Sequence, residues 1–203
     1  RKALSLWAQS PTPDAVAIAK LKLNLATALV DQDRGRDAAP LYREAEQGFV
    51  AALGPRHPYV LVSLYNLGLL EERRGRLDAA RADFERALAV ARYVFGDSHG
   101  KVLELHLALA RVDLFEGLAS SALVHGEAAR QIFEALRSAD EEVFAVLGEA
   151  YLLLGRHAEA LAAAERELQI AAELYGSDSE VAARAHAKAG EALLGLHQPD
   201  EAE

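Results

Sequence analysis

Apolar residues along this chain recur three and four positions apart, as in Leu64, Leu67 and Leu70 and again from Leu77 to Phe84 and Leu88. No stretch alternates apolar with polar residues as a half-buried strand does. The spacing places the apolar positions on one face of a helix and predicts a series of helices in pairs. Gly75, Gly117 and Gly155 stand where the first helix of a pair should stop, the left-handed position after a helix end. Pro58 suits a first helical turn. Ser138 with Glu141, and Ser177 with Glu180, have the spacing of a capping box at a helix start.

The pairs repeat. Leu25-Ala26 corresponds to Leu67-Gly68, and the small residues at that phase are Ala26, Gly68, Ala110, Gly148 and Gly190, spaced by 42, 42, 38 and 42 residues. A second small column is Ala38, Ala80, Ala122, Ala160 and Ala202, and a third is Ala3, Ala45, Ala87 and Ala129. The connecting loop repeats as well, as LGPRHPYV from Leu53 and FGDSHGKV from Phe95. Small columns have a physical reason: helices cross closely only where side chains are small, with a large neighbour such as Tyr42 or Phe84 filling the adjacent gap.

Three small columns in register, with PLYREA at Pro40–Ala45 and LGPRHP at Leu53–Pro58, resemble the tetratricopeptide repeat in its kinesin light chain form. That form also occurs in multidomain bacterial signalling proteins, and the period here is longer than the family's usual ~34 residues. The resemblance implies an all-α fold, a right-handed α-solenoid of helical hairpins running as one segment over residues 1–203. Residues 1–10 would close a preceding repeat; repeats would follow at 13–54, 55–96, 97–138 and 139–176, with a partial one at 177–203. By phase, residues 1–9 match the chain from Glu85 onward, and the last residues enter a second helix. Neither end reads as a polar capping repeat, and no Met is present; the expectation is a segment of a longer, bacterial array. Asp33 stands in place of the inter-helix glycine, Gly126 replaces an aromatic, and the third repeat is four residues short at LRSADEE. Altered packing is expected around residues 126–140.

Composition narrows the chemistry. The chain has 203 residues, 51% hydrophobic but only 6% aromatic, so its core must be Ala, Leu and Val, which suits closely packed helices. With no Cys there is no disulfide, thiolate zinc site or cysteine nucleophile. A net charge of −9 argues against a nucleic-acid partner, which needs a basic footprint. The most apolar stretch, Val143 to Gly155, is too short for a membrane span and contains Glu149. No signal peptide opens the chain, so a cytoplasmic location is expected. Gly96-Asp97-Ser98-His99-Gly100 matches the G-x-S-x-G nucleophile elbow in letters, but that motif needs a strand before it, and these residues occupy the repeated loop. Extended to Lys101 it is one residue short of a phosphate-binding P-loop, with Val102 where Ser or Thr should follow. The seven histidines lack metal-site spacing, and His57 and His99 read as turn residues. Acidic pairs such as Glu71-Glu72 and Glu141-Glu142 read as solvated helix faces. No catalysis, cofactor or metal is expected.

The family's first helices line a concave groove for extended or short helical peptides. Carried over by phase, that groove would use Lys20, Leu23, Asn24, Thr27 and Asp31, then Tyr65, Asn66, Leu69 and Arg73. Further along it would use Leu107, Arg111 and Phe115, then Glu149, then Arg184, Lys188 and Glu191. Asn24 and Asn66 are the two asparagines of the chain and lie 42 residues apart at one phase. Asn in a helix costs roughly 0.6 kcal/mol relative to Ala, and its amide can both donate to and accept from a peptide backbone. The carboxylate clamp that some family members use on chaperone tails maps to Leu23, Thr27, Asn66, Glu104 and Ala108; one of the five fits, which argues against that tail. The expected partner is a protein or peptide, held by Tyr65 and Phe115 as apolar anchors with Lys20, Arg73 and Arg111 as charges, and acidic and aromatic in the manner of kinesin light chain cargo. Two alternatives are a regulatory or oligomerising arm of a larger bacterial signalling protein (a kinase, NTPase or transcription regulator) and self-association through uncapped repeat ends.

Overall fold

A computed structural model describes residues 14–197. The end of a preceding repeat expected at residues 1–10, and the column members Ala3 and Ala202, lie outside the described residues. Among the described residues there are nine helices and no strand: α1 Ala15–Val30, α2 Gly35–Leu53, α3 Pro58–Arg73, α4 Leu77–Phe95, α5 Gly100–Phe115, α6 Ala119–Leu136, α7 Glu142–Leu153, α8 His157–Tyr175 and α9 Glu180–His197. They fall into two compact units, the first ending at Asp97 and the second beginning at Ser98.

In the first unit, α1 pairs with α2 and α3 with α4, while α2 packs on α3 and α1 touches α3. Asp14 starts α1 because its carboxylate accepts from the Val16 and Ala17 N–H groups, at 2.9 and 3.3 Å, two donors the helix itself cannot satisfy. Ala19, Leu23, Ala26 and Leu29 then form the buried stripe of α1, against Ala38, Tyr42, Ala45 and Phe49 of α2. A stacked Phe49–Tyr59 pair, 4.9 Å between ring centres, joins the two hairpins. Within the second hairpin, Gly68 lies against the ring of the fully buried Phe84. The turn that ends α1 holds Asp33 at φ +58°, next to the +69° of Gly75 in the turn that ends α3. Aspartate tolerates the left-handed region better than most residues, so the turn survives without its glycine.

The second unit stacks α5 with α6, α7 with α8, and α9 against α8, with α7 touching both α5 and α9. His57 and His99 are helix caps: each ring Nδ1 accepts the backbone N–H two residues on, from Tyr59 and Lys101, at 3.1 Å. The letters of a nucleophile elbow at residues 96–100 therefore cover a helix end, with Gly96 at φ +81°, and the cap of α5. The short third repeat shows as a 12-residue α7 that begins only at Glu142, after Arg137 turns left-handed at φ +50°. The Ser138–Glu141 capping box does not form, because the helix starts later and Asp140 accepts the Glu142 N–H instead, at 3.1 Å. At α9 the acceptor for Ala182 N–H is the Ser179 hydroxyl, 3.2 Å away, rather than Ser177. Where Gly126 lacks a side chain, Leu147 fills the gap; a Cβ on Gly126 would sit 2.8 Å from a Leu147 methyl. Phe133 and Phe144 meet edge-on across the same junction, 5.3 Å apart.

Candidate functional site

The first helices of the second unit bring side chains to one cavity of about 630 Å³. Arg111, Leu114 and Phe115 come from α5, Glu142, Val146, Glu149 and Leu152 from α7, and Val181, Arg184, Lys188 and Glu191 from α9, with Glu167 of α8 at the back. Helical spacing explains the selection: residues three, four and seven apart share a face, so one face of each helix supplies the wall. Phe115 is 68% exposed, an apolar ring held open to water. Lys188 Nζ lies 2.6 Å from the buried Glu167 carboxylate and 3.4 Å from the Ala145 carbonyl oxygen. Burial pushes the Glu167 carboxyl above the usual range, and the Lys188 ammonium opposes that shift. Arg111 pairs with Glu142 at 2.5 Å. With these two pairs mutually neutralised, Glu141, Glu149 and Glu191 remain against Arg184, so the cavity presents a negative balance. Of the residues expected from the sequence, Arg111, Phe115, Glu149, Arg184, Lys188 and Glu191 line this cavity; Leu107 is buried in the core instead.

In the first unit Lys20 holds its ammonium 4.6 Å from the centre of the Tyr59 ring, a cation–π contact between α1 and α3. Thr27 donates its hydroxyl hydrogen to Leu23 O at 3.2 Å and accepts from the Tyr42 hydroxyl at 3.1 Å, so its hydroxyl serves the α1–α2 hairpin. Tyr65 is half-buried with its ring tilted on Phe84, 6.0 Å between centres. Leu69 is likewise half-buried, and Asn24 is exposed and Asn66 half-buried. Among the described residues, neither asparagine side chain makes a hydrogen bond within the protein. Arg73 lines a different cavity, at the turn ends of the two hairpins.

A tetratricopeptide repeat model matches residues 17–92, 59–135 and 142–203. Those spans take in almost the whole chain. The chain belongs to the tetratricopeptide repeat family. No curated protein matches it in sequence, but solved structures match it in shape. BtubC (BKLC) of P. vanneervenii aligns with a TM-score of 0.80 at 21% identity, over 89% of this chain and 73% of that one. A kinesin light chain-like protein of Podosopora anserina with nearly identical TPR-like repeats gives 0.74 at 18% identity, over 94% and 92%. MamA of Desulfovibrio magneticus RS-1 gives 0.60 at 18%, over 89% and 97%. The fold class is therefore the all-α tetratricopeptide solenoid with kinesin light chain-like repeats, a family whose members typically act as protein-interaction scaffolds. No helix among the described residues is long and apolar enough to cross a membrane.

Several features of this tetratricopeptide chain escape sequence reasoning. Of the clamp positions, Leu23 and Ala108 are buried, and Glu104 is tied to Lys101 at 2.7 Å. Glu71, read as a solvated face, is fully buried and faces Arg43 at 2.7 Å, with Arg76 against its other oxygen. Asp113, 42 residues on, is buried too and accepts from the Ser121 hydroxyl at 2.6 Å. The shared phase of the two acids was the available signal. His106 and His125 approach Nδ1 to Nδ1 at 3.0 Å across α5 and α6. Among the described residues no three His, Asp or Glu side chains form a group able to hold a metal ion.

Proposed function

We propose that this chain is a non-catalytic peptide-binding scaffold, and that the groove of the second unit is the surface that takes the partner. The observation that carries this reading is the convergence of α5, α7 and α9 on one cavity, with Phe115 exposed beside Leu114, Val146 and Leu152. A volume of about 630 Å³ lies in the usual range for binding clefts. An apolar residue of the partner would pack on Phe115, and cationic residues would meet Glu149 and Glu191. The lining thus favours a basic complement over the acidic one that kinesin light chain resemblance implies. Asn24 and Asn66, whose amides make no hydrogen bond among the described residues, would hold the backbone of a partner at the first unit.

Selection of a random displayed peptide library on the chain, followed by anisotropy titration of the enriched peptides, tests the assignment. Enrichment of peptides with an apolar residue flanked by Lys or Arg is expected. Phe115→Ala, at an exposed position, should weaken them by about tenfold, in line with loss of an aromatic anchor worth 1–2 kcal/mol. Peptides that bind Phe115→Ala and Glu149→Gln as tightly as the parent would remove the groove from consideration.

A further inference from the structure

A second cavity, of about 640 Å³, lies in the first unit where α1 turns into α2 and α3 turns into α4. Five guanidinium groups line it, those of Arg34, Arg36, Arg73, Arg74 and Arg76, against the carboxylates of Asp33 and Asp37. Three of the five have partners. Arg34 pairs with Asp37 at 2.5 Å, Arg76 contacts the buried Glu71, and Arg74 stands 3.9 Å from the same carboxylate. Arg36 and Arg73 make no ion pair among the described residues. Counting Glu71 with the two aspartates, five positive charges face three negative ones, in a chain whose net charge is −9. Such an excess of cations repels itself unless an anion completes it.

The backbone adds to the same balance. Arg34, the N-cap of α2, supplies no side-chain cap, and among the described residues the Gly35 and Arg36 N–H groups find no acceptor. Both residues line the cavity. Gly35 holds the helix start close against Leu70, since a Cβ there would lie 2.7 Å from a Leu70 methyl. The helix dipole and its free N–H groups favour negative charge at this point. Planar guanidinium forks match oxyanions in two-point fashion.

We propose that this cavity is an oxyanion site for a carboxylate- or phosphate-bearing peptide segment, distinct from the groove of the second unit and opposite to it in charge. Asp33 and Asp37 in the lining, with the chain's overall negative charge, work against a continuous polyanion such as nucleic acid.

Three fluorescein-labelled octapeptides test this on the whole chain: one with four glutamates, one with two phosphoserines, and one with glutamines in place of the acids. Binding is followed by anisotropy at low and raised salt. The acidic probe binds, the glutamine probe does not, and salt weakens the complex. Arg36→Gln with Arg73→Gln, both exposed, lowers affinity at least about tenfold while helicity is retained. Phe115→Ala leaves it unchanged, which separates this site from the groove. Binding of the phosphoserine probe alone assigns the anion to a phosphorylated segment; binding of both assigns it to any acidic one. The proposal fails if neither acidic probe binds, if the double variant binds them like the parent, if Phe115→Ala abolishes binding, or if an oligothymidine binds more tightly.

Discussion

Replacing Gly68 by alanine sets two effects of similar size against each other, and the structure decides between them. In an open helix the change should stabilise by about 1 kcal/mol, because glycine is the poorer helix former. At Gly68 the new Cβ would lie 2.6 and 2.7 Å from two ring carbons of Phe84 and 3.0 Å from a third. Ordinary carbon contacts are ~3.5–4.0 Å, so α3 and α4 must separate by nearly 1 Å or the ring must turn. Phe84 is 0% exposed and leans on Tyr65, which leaves the ring little freedom. Overpacking of this kind costs about 1–3 kcal/mol, so the expected net is a loss of about 1 kcal/mol. Gly148 is the control from the same repeat column: its Cβ would meet Ala163 at 3.7 Å, an ordinary contact. Gly148→Ala should therefore gain up to ~1 kcal/mol. Urea and thermal unfolding of both variants, followed by circular dichroism, should show opposite signs. If Gly68→Ala is as stabilising as Gly148→Ala, the claim that Gly68 is needed for the close approach of Phe84 to α3 is wrong.

Asp33→Gly should stabilise the first unit by about 0.5 kcal/mol, because glycine removes the left-handed penalty at φ +58° but also loosens the unfolded chain; a lower melting temperature would contradict this. Asp83 has its carboxyl pushed up to about 6 by burial, with Arg86 opposing and Glu71 adding to the shift. Its folded-state value thus lies above its unfolded one, the folded chain holds the extra proton between about pH 4 and 6, and stability on this account falls as pH rises through that window. Asp83→Asn should flatten that slope and raise stability at pH 7 by roughly 1–3 kcal/mol, while Arg86 keeps Glu46 at 2.6 Å. Identical pH profiles of parent and variant would refute the assignment.

Whatever recurs at fixed phase was legible in the sequence. Small residues at Gly68 and Gly148, the turn at Gly75 and its aspartate counterpart Asp33, and the loop histidines are all local, so one repeat predicts the next. What required three dimensions was the pairing of elements distant in sequence. Glu167 meets Lys188 only because α8 and α9 pack together, and Glu71 is buried only because α2 brings Arg43 across it. The basic cavity joins two turns 42 residues apart, although Arg34 and Arg76 share a phase. Departures from the repeat were the least readable part. The shortened junction delays α7 to Glu142 and leaves Ser138 without the helix it was expected to cap. Among the groove residues, Phe115, Glu149 and Lys188 share one wall because their helices stack, whereas the exposed Thr27 spends its hydroxyl on the Tyr42 hydroxyl of α2. Nothing in the spacing of threonine along α1 indicates that difference.

Amide NMR on the ¹⁵N-labelled chain, titrated with the tightest peptide from the library selection, tests the central claim most directly. The account predicts shift changes concentrated along α5, α7 and α9 around Phe115, Glu149 and Lys188, and their loss in Phe115→Ala. Shifts confined to the second helices α6 and α8, with the Phe115 region unmoved at saturation, would contradict it.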